Sequence, residues 1–214
     1  MALSTIEEAL DALRAGKPIL VADDENRENE GDAILAAEFA SEEWMAWIVR
    51  NTTGFLCVPM EESRANELEL PLMTVNNQDP HATNYTVSVD AANRFSTGVS
   101  AADRANTARV LASWDATPES LLRPGHMLPL RAHPQGLHGR RGHTEATVDL
   151  LKLAGLTPVG VIGEMVSEDG SMMRLPELLD VGKKEGLPVI TVEQVTNYLV
   201  EHGITYENLS LIHI

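Results

Sequence analysis

The sequence predicts a mixed β-sheet carrying helices on both faces, an α+β (α/β layered) fold built as one domain. Short apolar or β-branched runs alternate with amphipathic helical segments along the whole chain. Two of the connections, Glu168–Ser171 among them, look like hairpins, which makes the sheet mixed rather than all parallel. The 214 residues, 43% of them apolar, suit a single core, and no linker, low-complexity tract or internal repeat divides them.

The elements follow in order. Ser4-x-x-Glu7 reads as a capping box opening a helix with Ile6, Leu10 and Leu13 on one face and Gly16 closing it. PILVA (18–22) is a buried strand, followed by an acidic loop and a second strand over 33–39. Ser41 caps a helix over 42–50, GFLCVPM (54–60) is strand-like, 61–69 is a short polar helix and 71–83 is loop. NYTVSVDA (84–91) alternates and is β-branched, so it is a strand. Ser100 caps a helix over 101–113, and a loop over 115–125 ends in Arg123-Pro124-Gly125. HMLPLRA (126–132) is a strand whose proline suggests an edge or irregular position. A loop over 133–142 precedes a helix over 144–154 closed by Gly155. PVGVIGEM (158–165) is a buried strand. A helix over 176–185, a strand over 188–192 and a helix over 193–202 complete the domain, assigned to residues 1–208. LSLIHI (209–214) fits no element. Its codons can be written to match the mosaic end used in transposase-based sequencing libraries, so it is expected to be a non-native or disordered tail.

Composition narrows the function. Sixteen basic against thirty-two acidic residues leave a net charge of −16, which disfavours nucleic acid and anionic membranes. No apolar run is long enough to span a bilayer. MALSTIEEALDALRAG carries acidic residues and no apolar core, so no signal peptide is expected. A lone cysteine, Cys57, allows no internal disulfide and suits a reducing cytoplasm; the residue itself reads as a small buried hydrophobe. P-loop, dinucleotide-binding, nucleophile-elbow and H-E-x-x-H motifs are absent. The acidic loop is no EF-hand, because Gly31 at the sixth loop position puts Ala37 where the bidentate glutamate belongs.

Charge is unevenly spread. DDENRENEGD (23–32) holds six carboxylates and one arginine, Arg27. Packed on one surface, Glu28, Asp32 and their neighbours would repel one another unless a hard divalent cation such as Mg²⁺ or Mn²⁺ intervened. A solvated acidic turn is the plainer alternative. GRRGHTEA (139–146) places Arg140, Arg141 and Gly142 before a helix that begins at Thr144. Free backbone N–H groups and two guanidinium groups there make a phosphate site, with His143 at the same turn able to ligate a metal. An ordinary basic loop before a helix cap would look the same. His126 starts a strand, and Glu164 ends a buried one, where burial raises a carboxylate pKa toward the range of a proton shuttle. TGVSAADRANT (97–107) alone reads as a capped helix with a surface Asp103–Arg104 pair.

In combination these segments say more. DDENRENEGD, STGVSAADRANT (96–107), RPGHMLPLRA (123–132), RRGHTEATVDL (140–150), LAGLTPVGVIGEM (153–165) and EDGSMMRLPEL (168–178) occur in this order. The sequence resembles the 3,4-dihydroxy-2-butanone 4-phosphate synthases of riboflavin biosynthesis over roughly residues 5–205. The resemblance implies a carbon–carbon lyase that converts D-ribulose 5-phosphate to L-3,4-dihydroxybutan-2-one 4-phosphate and formate with two Mg²⁺ or Mn²⁺ ions per site. By motif match it implies Glu28 and His143 as metal ligands. It places Arg27, Glu28, Asp32, Arg140, Arg141, Gly142, His143 and Thr144 on the substrate, and His126 and Glu164 in catalysis. It further implies a homodimer whose sites draw on both subunits. Gln135, where the family usually has glycine, and His138 are the departures. The family also occurs fused to a GTP cyclohydrolase II domain, and a tail that looks truncated leaves open that this chain is the front half of such a fusion.

Two competing classes share parts of this pattern. Another divalent-metal sugar-phosphate enzyme, of isomerase type, would stop at the enediol and release no formate. A non-enzymatic acidic metal-binding module would have no use for Arg140, Arg141 or His126.

Overall fold

The computed structural model describes residues 2–209. In chain order the elements are α1 (Ile6–Arg14), β1 (Ile19–Ala22), β2 (Gly31–Ala36), α2 (Glu42–Asn51), β3 (Cys57–Met60), α3 (Glu62–Glu67), β4 (Val89–Ala91) and α4 (Ala101–Ala112). There follow β5 (Leu121–Arg131), α5 (His143–Ala154), β6 (Gly160–Glu164), α6 (Leu175–Glu185), β7 (Val189–Thr191), α7 (Val192–Glu201) and α8 (Tyr206–Leu209). The strands form one sheet in the order β4-β5-β3-β6-β2-β1-β7. Parallel pairs (β1–β7, β3–β5) and antiparallel pairs (β1–β2, β2–β6) mix, as the hairpin signals predict.

The strand period of two explains the layers. Leu20, Ala33 and Leu35 pack with Met45 and Ile48 of α2, Ala105 and Leu111 of α4 and Leu178 of α6. Their neighbours Ile19, Val21 and Ile34 pack on the opposite side with Leu10 and Leu13 of α1, Leu150 of α5 and Leu199 of α7. Helices therefore cover both faces, and β1 and β2 are buried at every residue.

Several boundaries differ from the sequence expectation. The α1 cap is Thr5, whose hydroxyl accepts from the Glu8 backbone N–H while Glu8 caps the Thr5 N–H, one residue later than the Ser4 box. Ser4 instead receives the Val189 N–H at 3.3 Å. The second strand starts at Gly31 and ends at Ala36, which puts Asp32 inside the sheet; Ala37–Phe39 form a 3₁₀ turn. Only Val89–Ala91 of the 84–91 run belongs to β4, although Tyr85 bridges Leu130. β5 already begins at Leu121, so Arg123-Pro124-Gly125 lies in strand rather than loop. Pro129 is not on an edge: β5 is the second strand of the sheet. The irregularity lies beside it, where Thr86 rather than β4 donates to the Pro129 carbonyl at 3.0 Å. Leu209, expected in the tail, closes α8 and is buried in the α1–α5–α7 cluster. Residues 210–214 of that expectation lie outside the described residues.

Candidate active site

Asp32 sits in β2 opposite Val21 of β1 and Glu164 of β6. The alternation that buries Ile34 under α5 turns Asp32 to the same side, where the N-terminal turn of α5 delivers His143. The His143 Nδ1 lies 3.6 Å from Asp32 Oδ1 and 3.8 Å from Glu28 Oε2. Its Nε2 meets the Val21 carbonyl at 3.1 Å. A carbonyl can only accept, so Nε2 carries a proton and the ring is fixed with Nδ1 facing the carboxylates.

The acidic loop is folded so that its carboxylates divide. Asp24 and Glu25 face solvent. Asp23 is buried beneath the loop and takes Arg27 Nη1 at 2.6 Å and the Glu28 N–H at 3.2 Å. The Asp23 N–H also closes on the Glu30 carbonyl at 2.8 Å, tying the two ends of the loop together. Arg27 Nη1 bridges onward to Glu28 Oε2 at 2.8 Å. Asp23 thus aims both Arg27 and Glu28, and sequence reasoning missed it; its signal is a carboxylate immediately after an all-buried strand.

A cleft of about 250 Å³ opens over this cluster, lined among others by Glu28, Asp32, His143, Glu164, Arg27 and Arg140. Cys57, Thr83 and Tyr85 also line it, and none of the three was expected there. Cys57 is buried as the sequence implies, but on the cleft wall, where burial and the Glu164 charge push its thiol well up. Burial likewise raises the Tyr85 phenol to about 12.

Electrostatics follow from this packing. Burial would lift Glu28, but the facing His143 ring and the charge of Arg27 hold it down at about 2. Burial pushes Asp32 up to about 7 against the pull of His143, with Glu164 adding to the rise. Burial would lower His143, yet the Asp32 charge and the Glu28 contact raise it to about 9. Glu164 is half-buried at the strand end and accepts the Thr53 hydroxyl at 2.7 Å.

The donor set fits a hard divalent ion. Asp32 Oδ1 is buried without a hydrogen-bond partner, beside the Glu28 carboxylate and the fixed Nδ1 face of His143. Among the described residues no group of three or more His, Cys, Asp or Glu side chains forms a ready cage. An ion held here through two side chains would keep water or substrate oxygens as its other ligands, the usual habit of Mg²⁺.

The α5 turn supports an anion. Gly142 caps α5 with no side-chain bond to the first-turn N–H groups, which leaves them open. A β-carbon on Gly142 would stand 2.6 Å from Arg140 Nη1 and 3.0 Å from Arg27 Nη2, so glycine lets two guanidinium groups converge on this turn. Thr144 lines the cleft, whereas Arg141 is exposed and not among its lining residues.

His126, too, is not brought to the cleft by the single chain. It lies four residues before Leu130 in β5, about 13 Å away at strand rise. Gly125 passes so close to β4 that any β-carbon would lie 1.9 Å from the Val89 carbonyl carbon. That approach seats His126 on the buried Asp90, with its N–H 2.8 Å from Oδ1 and its Nδ1 2.9 Å from Oδ2. Its side chain is 43% exposed. In the neighbouring STGVSAADR segment the expected surface pair is absent. Asp103 is buried and accepts from the Phe95 N–H at 2.6 Å, the Ser100 hydroxyl at 2.9 Å and the Ser96 hydroxyl.

No helix among the described residues is long and apolar enough to cross a membrane. A family model for 3,4-dihydroxy-2-butanone 4-phosphate synthase matches residues 7–198. The chain is 52% identical over 195 residues to the 3,4-dihydroxy-2-butanone 4-phosphate synthase of Candida albicans, covering 91% of this chain and 96% of that one. It is 50% identical over 200 residues to the synthase of Pelobacter propionicus, covering 94% of this chain and 86% of the relative. A crystal structure of a 3,4-dihydroxy-2-butanone 4-phosphate synthase in complex with two magnesium ions superposes with a TM-score of 0.91 at 41% identity, over 95% of this chain and 100% of that one. With a family model spanning nearly all of the fold and relatives at half identity over nine-tenths of it, the chain belongs to the 3,4-dihydroxy-2-butanone 4-phosphate synthase family.

Proposed function

We propose that the cleft converts D-ribulose 5-phosphate to L-3,4-dihydroxybutan-2-one 4-phosphate and formate, the reaction that supplies the four-carbon unit in riboflavin biosynthesis. The observation that carries this reading is the convergence of Glu28, Asp32 and His143 beside an open helix N-terminus in a chain of this family. Glu28 and His143 hold divalent metal, two Mg²⁺ or Mn²⁺ per site; when bound, the metal stabilises negative charge on substrate oxygens.

The chain's own residues do the rest. Arg140, Arg141, Gly142 and Thr144 seat the phosphate at the α5 N-terminus, far from the reacting carbons, so the sugar enters in one direction. Arg27, Glu28 and Asp32 contact its hydroxyls. Glu164 and His126 move protons to and from the sugar. His126 reaches the site from the second subunit of a homodimer. Exposed Phe55, Phe95 and Val99 offer apolar surface for that subunit. The free thiol of Cys57 suits a reducing cytoplasm.

An isomerase that stops at the enediol shares the metal and phosphate features, and the family of the chain does not favour it. The test is incubation with ribulose 5-phosphate and Mg²⁺, with formate and the four-carbon phosphate both quantified. Isomerised pentose phosphate without formate would overturn the lyase reading.

A further inference from the structure

We infer that Glu145 is a positioning residue for the phosphate end of the cleft, holding Arg140 in place from the side away from the substrate. The inference rests on Arg140 as a phosphate ligand and adds a residue that the sequence patterns leave unused. Glu145 lies in the first turn of α5, is 1% exposed, and is not among the residues lining the catalytic cleft. It borders a smaller neighbouring cavity of about 160 Å³ together with Arg140 and Thr144. Its Oε2 accepts Arg140 Nη1 at 2.7 Å, and its Oε1 accepts the His133 N–H at 2.9 Å. The carboxylate is therefore pinned at both oxygens and cannot follow the arginine if it moves.

Arg140 is held at two further points. Nη2 donates to Thr83 Oγ1 at 2.9 Å and Nε to the His81 carbonyl at 2.9 Å. A guanidinium has five N–H donors. Three are engaged here, and the remaining two are free for a phosphate. A flexible arginine must be immobilised when ligand binds, and pre-setting it removes that cost from affinity. Glu145 also sits where a negative charge is favoured, at a helix N-terminus. Its charge therefore holds Arg140 without opposing the fold. The same arrangement draws the His81–Thr83 segment against α5, so Glu145 organises one wall of the cleft through a single arginine.

The test is a double-mutant cycle on Glu145→Ala, Arg140→Ala and the combined variant. KM and kcat for formate release from ribulose 5-phosphate are measured at saturating Mg²⁺, alongside Mg²⁺ affinity and Tm. The expected result is a KM raised about ten- to a hundredfold in Glu145→Ala. Mg²⁺ affinity should stay near wild type, and the combined variant should be no worse than Arg140→Ala alone. Glu145→Gln keeps one acceptor and should recover part of the KM; it also carries the cycle if Glu145→Ala does not fold. A purely structural ion pair would lower Tm and leave KM unchanged, and that outcome overturns the inference. Effects that multiply in the combined variant overturn it as well, since the two residues would then act separately. If Arg140→Ala itself leaves KM unchanged, the phosphate assignment has failed, a pattern distinct from Arg140 mattering while Glu145 does not.

Discussion

His143 Nδ1 stands 3.6 Å from Asp32 Oδ1, a buried oxygen with no hydrogen-bond partner. The separation is too long for a hydrogen bond and short enough for both atoms to face one small cation. With Nε2 tied to the Val21 carbonyl, the ring cannot turn away from this position. The β-strand pairing and the start of α5 thus create the space before any ligand arrives.

Activity should therefore depend on a divalent metal. Exhaustive chelation is expected to abolish formate release, and Mg²⁺ or Mn²⁺ to restore it. His143→Ala and Glu28→Gln should each weaken Mg²⁺ binding, read by calorimetry, at least about tenfold, because even groups that only support a metal ligand are worth about that much. Full turnover after chelation would refute the metal requirement.

Gly142→Ala should damage substrate binding more than folding. The added methyl would meet Arg140 Nη1 at 2.6 Å and Arg27 Nη2 at 3.0 Å, the ends of two long side chains that can move aside. Gly142 lies outside the left-handed region, so alanine costs the backbone little. The expected outcome is a Tm within a few degrees of wild type and a KM for ribulose 5-phosphate raised about tenfold or more, by loss of one charge-assisted contact. An unchanged KM would place the phosphate elsewhere.

Periodicity made the layers legible, because Leu20 and Val21 must face opposite sides of a sheet and both are apolar. It could not show that Asp32 belongs to β2, since the core pattern becomes visible only at Ala33. Glu28, Asp32, His143, Glu164 and Arg140 were legible as candidates from their motifs, and the structure gathers them in one cleft. Asp23, Tyr85 and Thr83 were not. Their contributions come from the loop turning back on itself and from residues 84–86 lying against β5. His126 shows the reverse case: its motif is plain, and a single chain does not bring its side chain to the cleft. Asp103 misled for a local reason. Four residues of the preceding loop, Phe95, Ser96, Gly98 and Ser100, bend back to donate to it, and no spacing rule announces such a turn.

Asp103 and Asp149 should give stability profiles of opposite sign. The Ser96 hydroxyl, with the Phe95 N–H and Ser100 hydroxyl also contributing, holds Asp103 well below its usual range. A depressed carboxyl stabilises the fold above its unfolded pKa, near 3.9, and loses that contribution as pH falls through the folded value. Asp103→Asn should lower Tm at pH 7, with the gap narrowing only below about pH 4, as pH falls through the window between the unfolded and folded values. Asp149 is the reverse: burial raises it to about 6, against the Leu137 N–H and Lys152. Its ionisation costs stability as pH rises from about 4 to about 6. Asp149→Asn, which can still accept from Leu137, should be more stable than wild type at pH 7 by up to roughly 3 kcal/mol, and equal to it near pH 4. Thermal melts at pH 7 and pH 2 decide the first and melts at pH 7 and pH 4 the second, and a parallel shift across either pair would disprove that linkage.

His126 and Glu164 should act on turnover rather than on binding. Asp90 engages the His126 Nδ1 at 2.9 Å and its backbone N–H at 2.8 Å, so the ring presents Nε2 outward in one orientation. Glu164 is aimed by the Thr53 hydroxyl at 2.7 Å and shares the cleft with Asp32 and Glu28. Groups that carry protons exert their effect in transition states, so losing them lowers kcat more than it raises KM. Positioned general acids and bases contribute about a hundred- to ten-thousandfold. His126→Ala and Glu164→Gln are therefore expected to fold, dimerise and bind ribulose 5-phosphate with Mg²⁺, while releasing formate at least about a hundredfold more slowly. Mixing the two variants supplies a further check. If His126 serves the neighbouring subunit, a heterodimer of His126→Ala and Glu164→Gln contains one site with both groups intact, and an equimolar mixture should regain up to about a quarter of wild-type activity after subunit exchange. Mixtures that stay as inactive as the separate variants would mean that His126 and Glu164 of the same chain serve one site.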